Sequence, residues 1–298
     1  MERVGGIPGA GRLRAPWVVL AVVLLLGTAL AAPASAAVRL KPAAAGTRAM
    51  WLWDPGAVRP ADVLTWARTR GVKEIFVHAD ARLPSSPARL ARLKELKRGA
   101  DAARIRLTAL GGDPGWATDH AAARSWQRAV LGTKLFAGSH VDVEPYVLPR
   151  WQTDQAGLVA GMLRMLQLLQ ADDPRPLEAD VPFWYHTVPA GPRTTLADAV
   201  LARVDAVTVM SYRDTVTGPN SLMDVGADML ARATKAGRPV RLAVETAPLA
   251  DCVYCTFHEE GAARMTAALT QVDAAARSYP AFAGVAVHHY PSWRAMRP

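Results

Sequence analysis

The chain has 298 residues, a formal charge of +9, 51% hydrophobic residues and two cysteines. That composition excludes a disordered chain and a disulfide-built miniprotein, and it allows one large core. The positive charge is scattered arginine rather than a basic block. This argues against nucleic acid and leaves an arginine-rich solvated surface, or an anionic wall polymer or acidic polysaccharide as partner.

Arg3, Arg12 and Arg14 precede a continuous apolar run over residues 17–32, and Ala34-Ser35-Ala36 offers a small-x-small cleavage site. Residues 1–36 therefore read as a signal peptide cut before Ala37. The apolar run is short beside the about 20 residues of a membrane span. No cysteine stands near it to carry a lipid. Retention of the segment as an N-terminal anchor is the alternative, and it gives the only membrane contact expected. Either way the body of the protein lies outside the cytosol, secreted or tethered. Removing the segment takes away three Arg and one Glu, which lowers the +9 by two.

From residue 37 onward the pattern alternates strand and helix without a linker. Strands are predicted over 49–53, 72–78, 105–110, 139–144, 177–184, 204–212, 240–246 and 283–290. Helices are predicted over 60–70, 87–104, 119–136, 154–171, 195–203, 221–236 and 259–279. Pro60 suits a first helical position, Gly71 stops that helix, and Leu158, Met162, Met165, Leu166 and Leu169 share one helical side. Eight such units in residues 37–298 predict one α/β domain, a (β/α)8 TIM barrel, with the last helix reduced to a turn around 292–296 or absent.

The most informative stretch is Ser139-His140-Val141-Asp142-Val143-Glu144-Pro145. In a strand, Val141 and Val143 form an aliphatic face while His140, Asp142 and Glu144 form the other. Burying that polar row is costly unless the groups pair or do chemistry. Active sites of such barrels lie at the strands' C-terminal ends. Those ends supply Trp53, His78, Asp142, Glu144, Trp184, Tyr212, Glu245, His288, Tyr290 and Trp293. Val207 and Val209 facing the helices put Tyr212 inside. Leu242 and Val244 do the same for Glu245, and Val285 and Val287 for His288 and Tyr290. Acids mixed with aromatics suit a sugar, since rings stack on its apolar faces while carboxyls serve hydroxyls and the glycosidic oxygen. Glu144, Asp142 and Glu245 are the candidate catalytic residues. Tyr212, Trp53, His78, Trp184, His288, Tyr290 and Trp293 are the candidate substrate contacts. Desolvation among apolar neighbours is expected to raise the Glu245 pKa.

Cys252 and Cys255 cannot complete a zinc site alone, and outside the cytosol a local loop disulfide is expected. Trp51-Leu52-Trp53 stands where a metal-dependent barrel would carry a His-x-His pair, so no metal or cofactor is expected.

Asp142-Val143-Glu144 with Met210-Ser211-Tyr212 resembles the strand-four and strand-six motifs of the family 18 glycoside hydrolases. That resemblance implies Glu144 as proton donor to the leaving group, Asp142 orienting a substrate acetamido group and Tyr212 helping to hold it. Ala137, His140 and Arg213 occupy positions where that family carries aspartates. Glu144-Pro145 with Glu245 also resembles the clan A retaining glycosidases, which implies Glu144 as acid/base and Glu245 as nucleophile. Val143 replaces their asparagine. Met210-Ser211-Tyr212-Arg213, Val244-Glu245-Thr246, residues 257–261 and His288-His289-Tyr290 resemble secreted bacterial barrels of the glycosidase superfamily. A glycoside hydrolase acting on a polysaccharide or wall glycan is the expected function, and a non-catalytic glycan-binding barrel is the alternative.

Overall fold

Short runs rich in Val, Ile, Leu and Ala, each followed by a helical stretch, satisfy their backbone hydrogen bonds by pairing in parallel. The structure, a computed structural model, describes residues 40–298, so the expected signal peptide at residues 1–36 lies outside the described residues. The barrel strands are β1 (Arg48–Leu52), β2 (Val72–His78), β3 (Arg106–Gly111), β4 (Ser139–Val141), β5 (Leu177–Pro182), β6 (Ala206–Met210), β7 (Val240–Glu245) and β8 (Phe282–His288). They close in the order β1-β8-β7-β6-β5-β4-β3-β2, every pair parallel. Parallel neighbours need a crossover, and helices α1 (Pro60–Thr69), α2 (Pro87–Ala102), α3 (His120–Gly132), α4 (Gln155–Asp172), α5 (Leu196–Leu201), α6 (Leu222–Ala236) and α7 (Gly261–Ala275) provide them. The last helix, α8 (Tyr290–Ala295), is a short one. The fold is thus a (β/α)8 barrel with a reduced final helix. Among the described residues no helix is long and apolar enough to cross a membrane.

Local chemistry sets the element ends. Pro60 opens α1 at its first position. The Ser221 side chain accepts from the Asp224 N–H at the start of α6, and Gly237 ends that helix at φ 68°, a conformation glycine adopts without steric cost. Three strands are shorter than their apolar pattern. The β4 ladder stops at Val141, although the Asp142 N–H still donates to the Gly111 carbonyl at 3.0 Å. Pro145 then starts a 3-10 turn, Pro145–Val147, and a proline has no N–H to continue a ladder and keeps the residue before it out of the helical region. β5 gives way after Pro182 to the 3-10 turn Phe183–Thr187. β8 ends at His288, so the inside–outside alternation does not extend to Tyr290.

The strands' outer faces, including Val141, Val143, Val207, Val209, Leu242, Val244, Val285 and Val287, are buried against the helices. The inner faces form a smaller apolar plug of Ala49, Trp51, Phe76, Leu110, Ala243 and Ala286. Toward the strands' N-terminal ends the interior is ionic. Arg106 Nη2 lies 2.6 Å from both Glu74 and Glu178. Arg241 pairs with Glu178 at 2.8 Å and also with Glu74. Thr108 donates to Glu74 at 2.5 Å. Burial alone would raise Glu178, but Arg241, His140 and Arg106 hold it well below the usual carboxylate range. Because this layer is charge-matched, removing one partner strands another. Arg241→Leu leaves Glu74 and Glu178 short of a buried cation and is expected to cost about 3–5 kcal/mol. Urea denaturation beside wild type measures this, and a loss under 1 kcal/mol would contradict the role given to the layer.

Candidate active site

The alternation that buries Val141 and Val143 outside turns His140, Asp142 and Glu144 into the barrel, and each meets a different environment. His140 is wholly buried, its ring stacked on Phe76 at 3.8 Å between centroids. Its Nε2 lies 2.8 Å from Asp180 Oδ1 and its Nδ1 3.5 Å from Glu178 Oε2, close contacts that are not aligned as hydrogen bonds. Burial alone would lower the His140 pKa, but the two carboxylates overcome it and push it up to about 10. The ring is therefore an imidazolium at neutral pH, placed between the ionic layer and the mouth.

Asp180 is the centre of this arrangement. It is 3% exposed, accepts from the Trp51 indole N–H at 3.2 Å, and faces His140 with its other oxygen. The β4–β5 register pairs His140 with Glu178 and Val141 with Ala179, so the next step along both strands sets Asp142 beside Asp180. The carboxylate neighbouring Asp142 thus comes from β5, whereas the position two residues upstream on β4 holds His140. Burial first, then the Asp180 and Glu144 charges, raise Asp142 well above the usual carboxylate range, with His140 opposing. Its Oδ1 has no partner. Gly112 lets β3 approach this point, because a β-carbon there would overlap the Asp142 carbonyl.

Glu144 stands one step nearer the opening. Burial raises its pKa, a hydrogen bond from the Tyr146 hydroxyl to Oε1 at 2.6 Å lowers it, and Asp180 raises it again, for a net increase. Tyr146 leans on Trp184 at 5.1 Å, and Trp184 packs on Tyr185 and Trp151. Trp184 therefore backs Tyr146 from the layer between strands and helices.

On the far wall, Glu245 is 4% exposed. Its Oε1 accepts the backbone N–H groups of Thr246 and Ala247, each at 2.7 Å, and its Oε2 lies 2.6 Å from His288 Nδ1. The Trp53 indole, a donor only, gives its hydrogen to His288 Nε2 at 2.8 Å. His288 must then carry its own hydrogen on Nδ1 and donate it to Glu245. Burial does raise the Glu245 pKa, but the His288 hydrogen bond and the backbone donors outweigh it and leave the pKa lowered. The expected increase is thus reversed: hydrogen-bond donors aimed at a carboxylate outweigh its desolvation. Tyr212 and Trp53 pack on the inner apolar plug, with Tyr212 6.2 Å from the His288 ring and Trp53 5.9 Å from His78. Burial and the surrounding acids keep the Tyr212 hydroxyl protonated, and burial lowers the His78 pKa.

Asp142, Glu144, Glu245, Tyr212, Trp53, His78 and His288 therefore gather around one end of the barrel. Tyr290 and Trp293 do not. Tyr290 is 1% exposed in the strand–helix layer, its hydroxyl accepting from Arg294 at 3.0 Å. Trp293 is 5% exposed and packs edge-on against Trp66 at 5.9 Å. Both belong to α8, which begins where β8 was expected to continue. Cys252 and Cys255 are joined as a disulfide. Their loop carries half-exposed Tyr254, which shares the Arg213 guanidinium with Phe183, at 5.5 and 5.0 Å. Phe257 is core. Two residues at the site were not anticipated. Asp180 was legible, since Leu177, Ala179 and Val181 alternate with Glu178 and Asp180. Tyr146 was not, because its direction depends on the 3-10 turn after Pro145. Among the described residues no group of three or more His, Cys, Asp or Glu is arranged to hold a metal ion.

No family model matches the chain, and no curated protein matches its sequence. Solved structures similar to it include the spore cortex-lytic enzyme of Bacillus cereus, at 12% identity over 70% of this chain and 52% of that one, TM-score 0.46. A GH18 chitinase from Cycas revoluta matches at 13% identity over 67% of this chain and 68% of that one, TM-score 0.46. A class V chitinase from Pseudomonas fluorescens Pf-5 matches at 18% over 68% and 69%, TM-score 0.44. The chain spans 64% of the Ostrinia furnacalis group II chitinase catalytic domain 2 in one such match and about half of the Bacillus enzyme. At these scores the matches assign no role to any residue.

Two outcomes test the electrostatics. A carboxyl whose folded pKa is raised favours the fold while protonated, and that contribution is lost as pH rises from the unfolded value through the folded one. The Asp142 contribution should therefore be lost as pH rises above about 4, so the stability of wild type relative to Asp142→Asn should fall over that rise. A wild-type-minus-variant difference in denaturation free energy that stays constant with pH would refute the assignment. Asp180→Asn removes the charge that helps raise Glu144, so carbon-13 NMR titration of the glutamate carboxyls should show Glu144 titrating at lower pH than in wild type. An unmoved Glu144 resonance would show that Asp180 does not act on it.

Proposed function

We propose that the protein is a secreted glycoside hydrolase that cleaves a polysaccharide or cell-wall glycan with Glu144 as general acid. The observation that carries this reading is Glu144 itself, a carboxyl at the barrel mouth with a raised pKa and one oxygen fixed by Tyr146. Such a group retains its proton closer to neutral pH and can deliver it to a glycosidic oxygen. Export rests on residues 1–36, and the Cys252–Cys255 disulfide suits an oxidising compartment. The acids at the mouth disfavour an anionic ring at the reaction centre, so the cleaved sugar is uncharged despite the basic exterior.

A glycosidase also needs a group to meet the positive charge that develops at the anomeric carbon. Both Glu245 oxygens are already engaged and the side chain is closed off from solvent, which disfavours Glu245 as nucleophile. The substrate-assisted route implied by the family 18 resemblance needs no such group. There a 2-acetamido carbonyl oxygen bonds to the anomeric carbon as the glycosidic bond breaks, and the Glu144 proton goes to the departing oxygen. Water then attacks the anomeric carbon, releasing the carbonyl, while the Glu144 carboxylate takes the water's proton. Asp142 orients the acetamido group, and the neutral Tyr212 hydroxyl donates to its carbonyl.

Reducing-end release over a panel of wall and plant glycans tests this, wild type beside variants. Glu144→Gln should lose about 10²–10⁴ in kcat with little change in Tm, since glutamine keeps the volume and can still accept from Tyr146. Glu245→Gln should invert that profile. Its amide N–H would face the His288 Nδ1–H, costing about 1–3 kcal/mol of stability, while kcat falls much less than in Glu144→Gln. Turnover near wild type in Glu144→Gln would rule out the assigned acid. Tight glycan binding by a wild type that cleaves nothing would favour the non-catalytic reading.

A further inference from the structure

Beside the reaction centre, between the ends of β2 and β3, lies a cleft of about 440 Å³, within the roughly 300–1,000 Å³ of small-molecule sites. Its floor is Trp126, buried and fixed by an indole hydrogen bond to the Ala79 carbonyl at 2.7 Å. Its side is Trp116, half-buried, with its ring 5.1 Å from that of Trp126 and tilted by 41°. The 3-10 turn Pro114–Ala117 presents Trp116, and Asp113 caps that turn by accepting from the Gly115 N–H at 2.7 Å. Asp80 lines the cleft as well, its carboxyl oriented by Arg89 at 2.6 Å and by the Arg82 N–H at 2.9 Å. None of these groups serves the chemistry assigned to Glu144.

Two of the cleft's lining residues also touch that site. Gly112 abuts the Asp142 carbonyl. His78 stands 5.9 Å from Trp53, whose indole holds His288. The half-buried Trp116 ring, backed by Trp126 and set beside carboxylate acceptors, matches a pyranose, which offers an apolar face for stacking and hydroxyls around its rim. The acids Asp80 and Asp113 exclude a uronate or a phosphorylated sugar, and the Asp80–Arg89 pair leaves no free cation to reward one.

We propose that the β2–β3 cleft is a glycan subsite in which Trp116 stacks on an uncharged pyranose ring of the same chain that is cleaved at Glu144. The proposal rests on the hydrolase reading above and deepens it: the protein reads at least two neighbouring sugar units. Binding energy gathered at a remote ring supports catalysis at the reacting one, so substrates too short to reach it lose rate.

The test compares kcat/KM on a neutral tetrasaccharide with kcat/KM on a monosaccharide aryl glycoside of the same sugar, for wild type, Trp116→Ala and Trp116→Phe. Trp116→Ala should lower the long-to-short ratio about tenfold or more, the equivalent of one modest stacking contact, and Trp116→Phe should recover most of it. Because each ratio is internal to one variant, incomplete folding does not alter it. An unchanged ratio, or equal loss on both substrates, would overturn the subsite and leave Trp116 a packing residue. If wild type cleaves no glycan, the hydrolase reading fails, and calorimetry with neutral tetrasaccharides of glucose and of N-acetylglucosamine decides the subsite separately. Weaker binding by Trp116→Ala than by wild type would support it, and equal or absent binding would overturn it.

Discussion

Everything at the mouth of this barrel depends on a buried column of charge that has to balance inside the sheet. Glu74, Glu178, Arg106 and Arg241 form its base, and His140 and Asp180 continue it toward the opening. An isolated charge in such an interior is prohibitive, whereas a matched set is tolerable. The imidazolium of His140 compensates Glu178 and Asp180 together. What is left uncompensated lies one step higher, where Asp142 and Glu144 face the same Asp180 with no cation of their own. Burial raises their pKa values, and the Asp180 charge adds to it where the positive charges stop.

The two walls of the mouth treat their carboxyls in opposite ways. Glu245 receives three hydrogen bonds and loses affinity for its proton. Glu144 receives one, from Tyr146, and retains more of its proton because burial and Asp180 prevail. Carboxyls pushed apart in this way are the pattern by which one site keeps an acid and a carboxylate at the same pH. Trp53 contributes without any charge. By donating to His288 Nε2 it fixes the tautomer that directs the other ring hydrogen at Glu245.

The barrel was legible because its signal is periodic and local. Val–x–Val alternation on β4, β6 and β8, and Leu–x–Val on β7, identified the inner faces that hold His140, Asp142, Tyr212, Glu245 and His288. A similar alternation on β5 contains Asp180, but the apolar pattern runs on to residue 184, past the strand's end at Pro182 and into the turn that carries Trp184. Tyr290 and Trp293 failed for the related reason. Alternation gives a direction only while the chain remains a strand, and β8 yields to α8 just before Tyr290.

By itself, the sequence determined the order of strands and helices, the face on which each inward residue lies, and the grouping of acids with aromatics at one end of the barrel. These follow from side-chain periodicity, which acts between near neighbours. Tertiary structure alone decided which acid keeps its proton. The sign of a pKa shift is set by the difference between desolvation and specific donors or charges, and those arrive from distant strands. Glu245 looked like a carboxyl to be raised by burial until His288 and two backbone N–H groups met it. Asp142 and Glu144 are raised by burial, reinforced by Asp180 crossing from β5, while the cation nearest to offset that charge, His140, is already shared with Glu178.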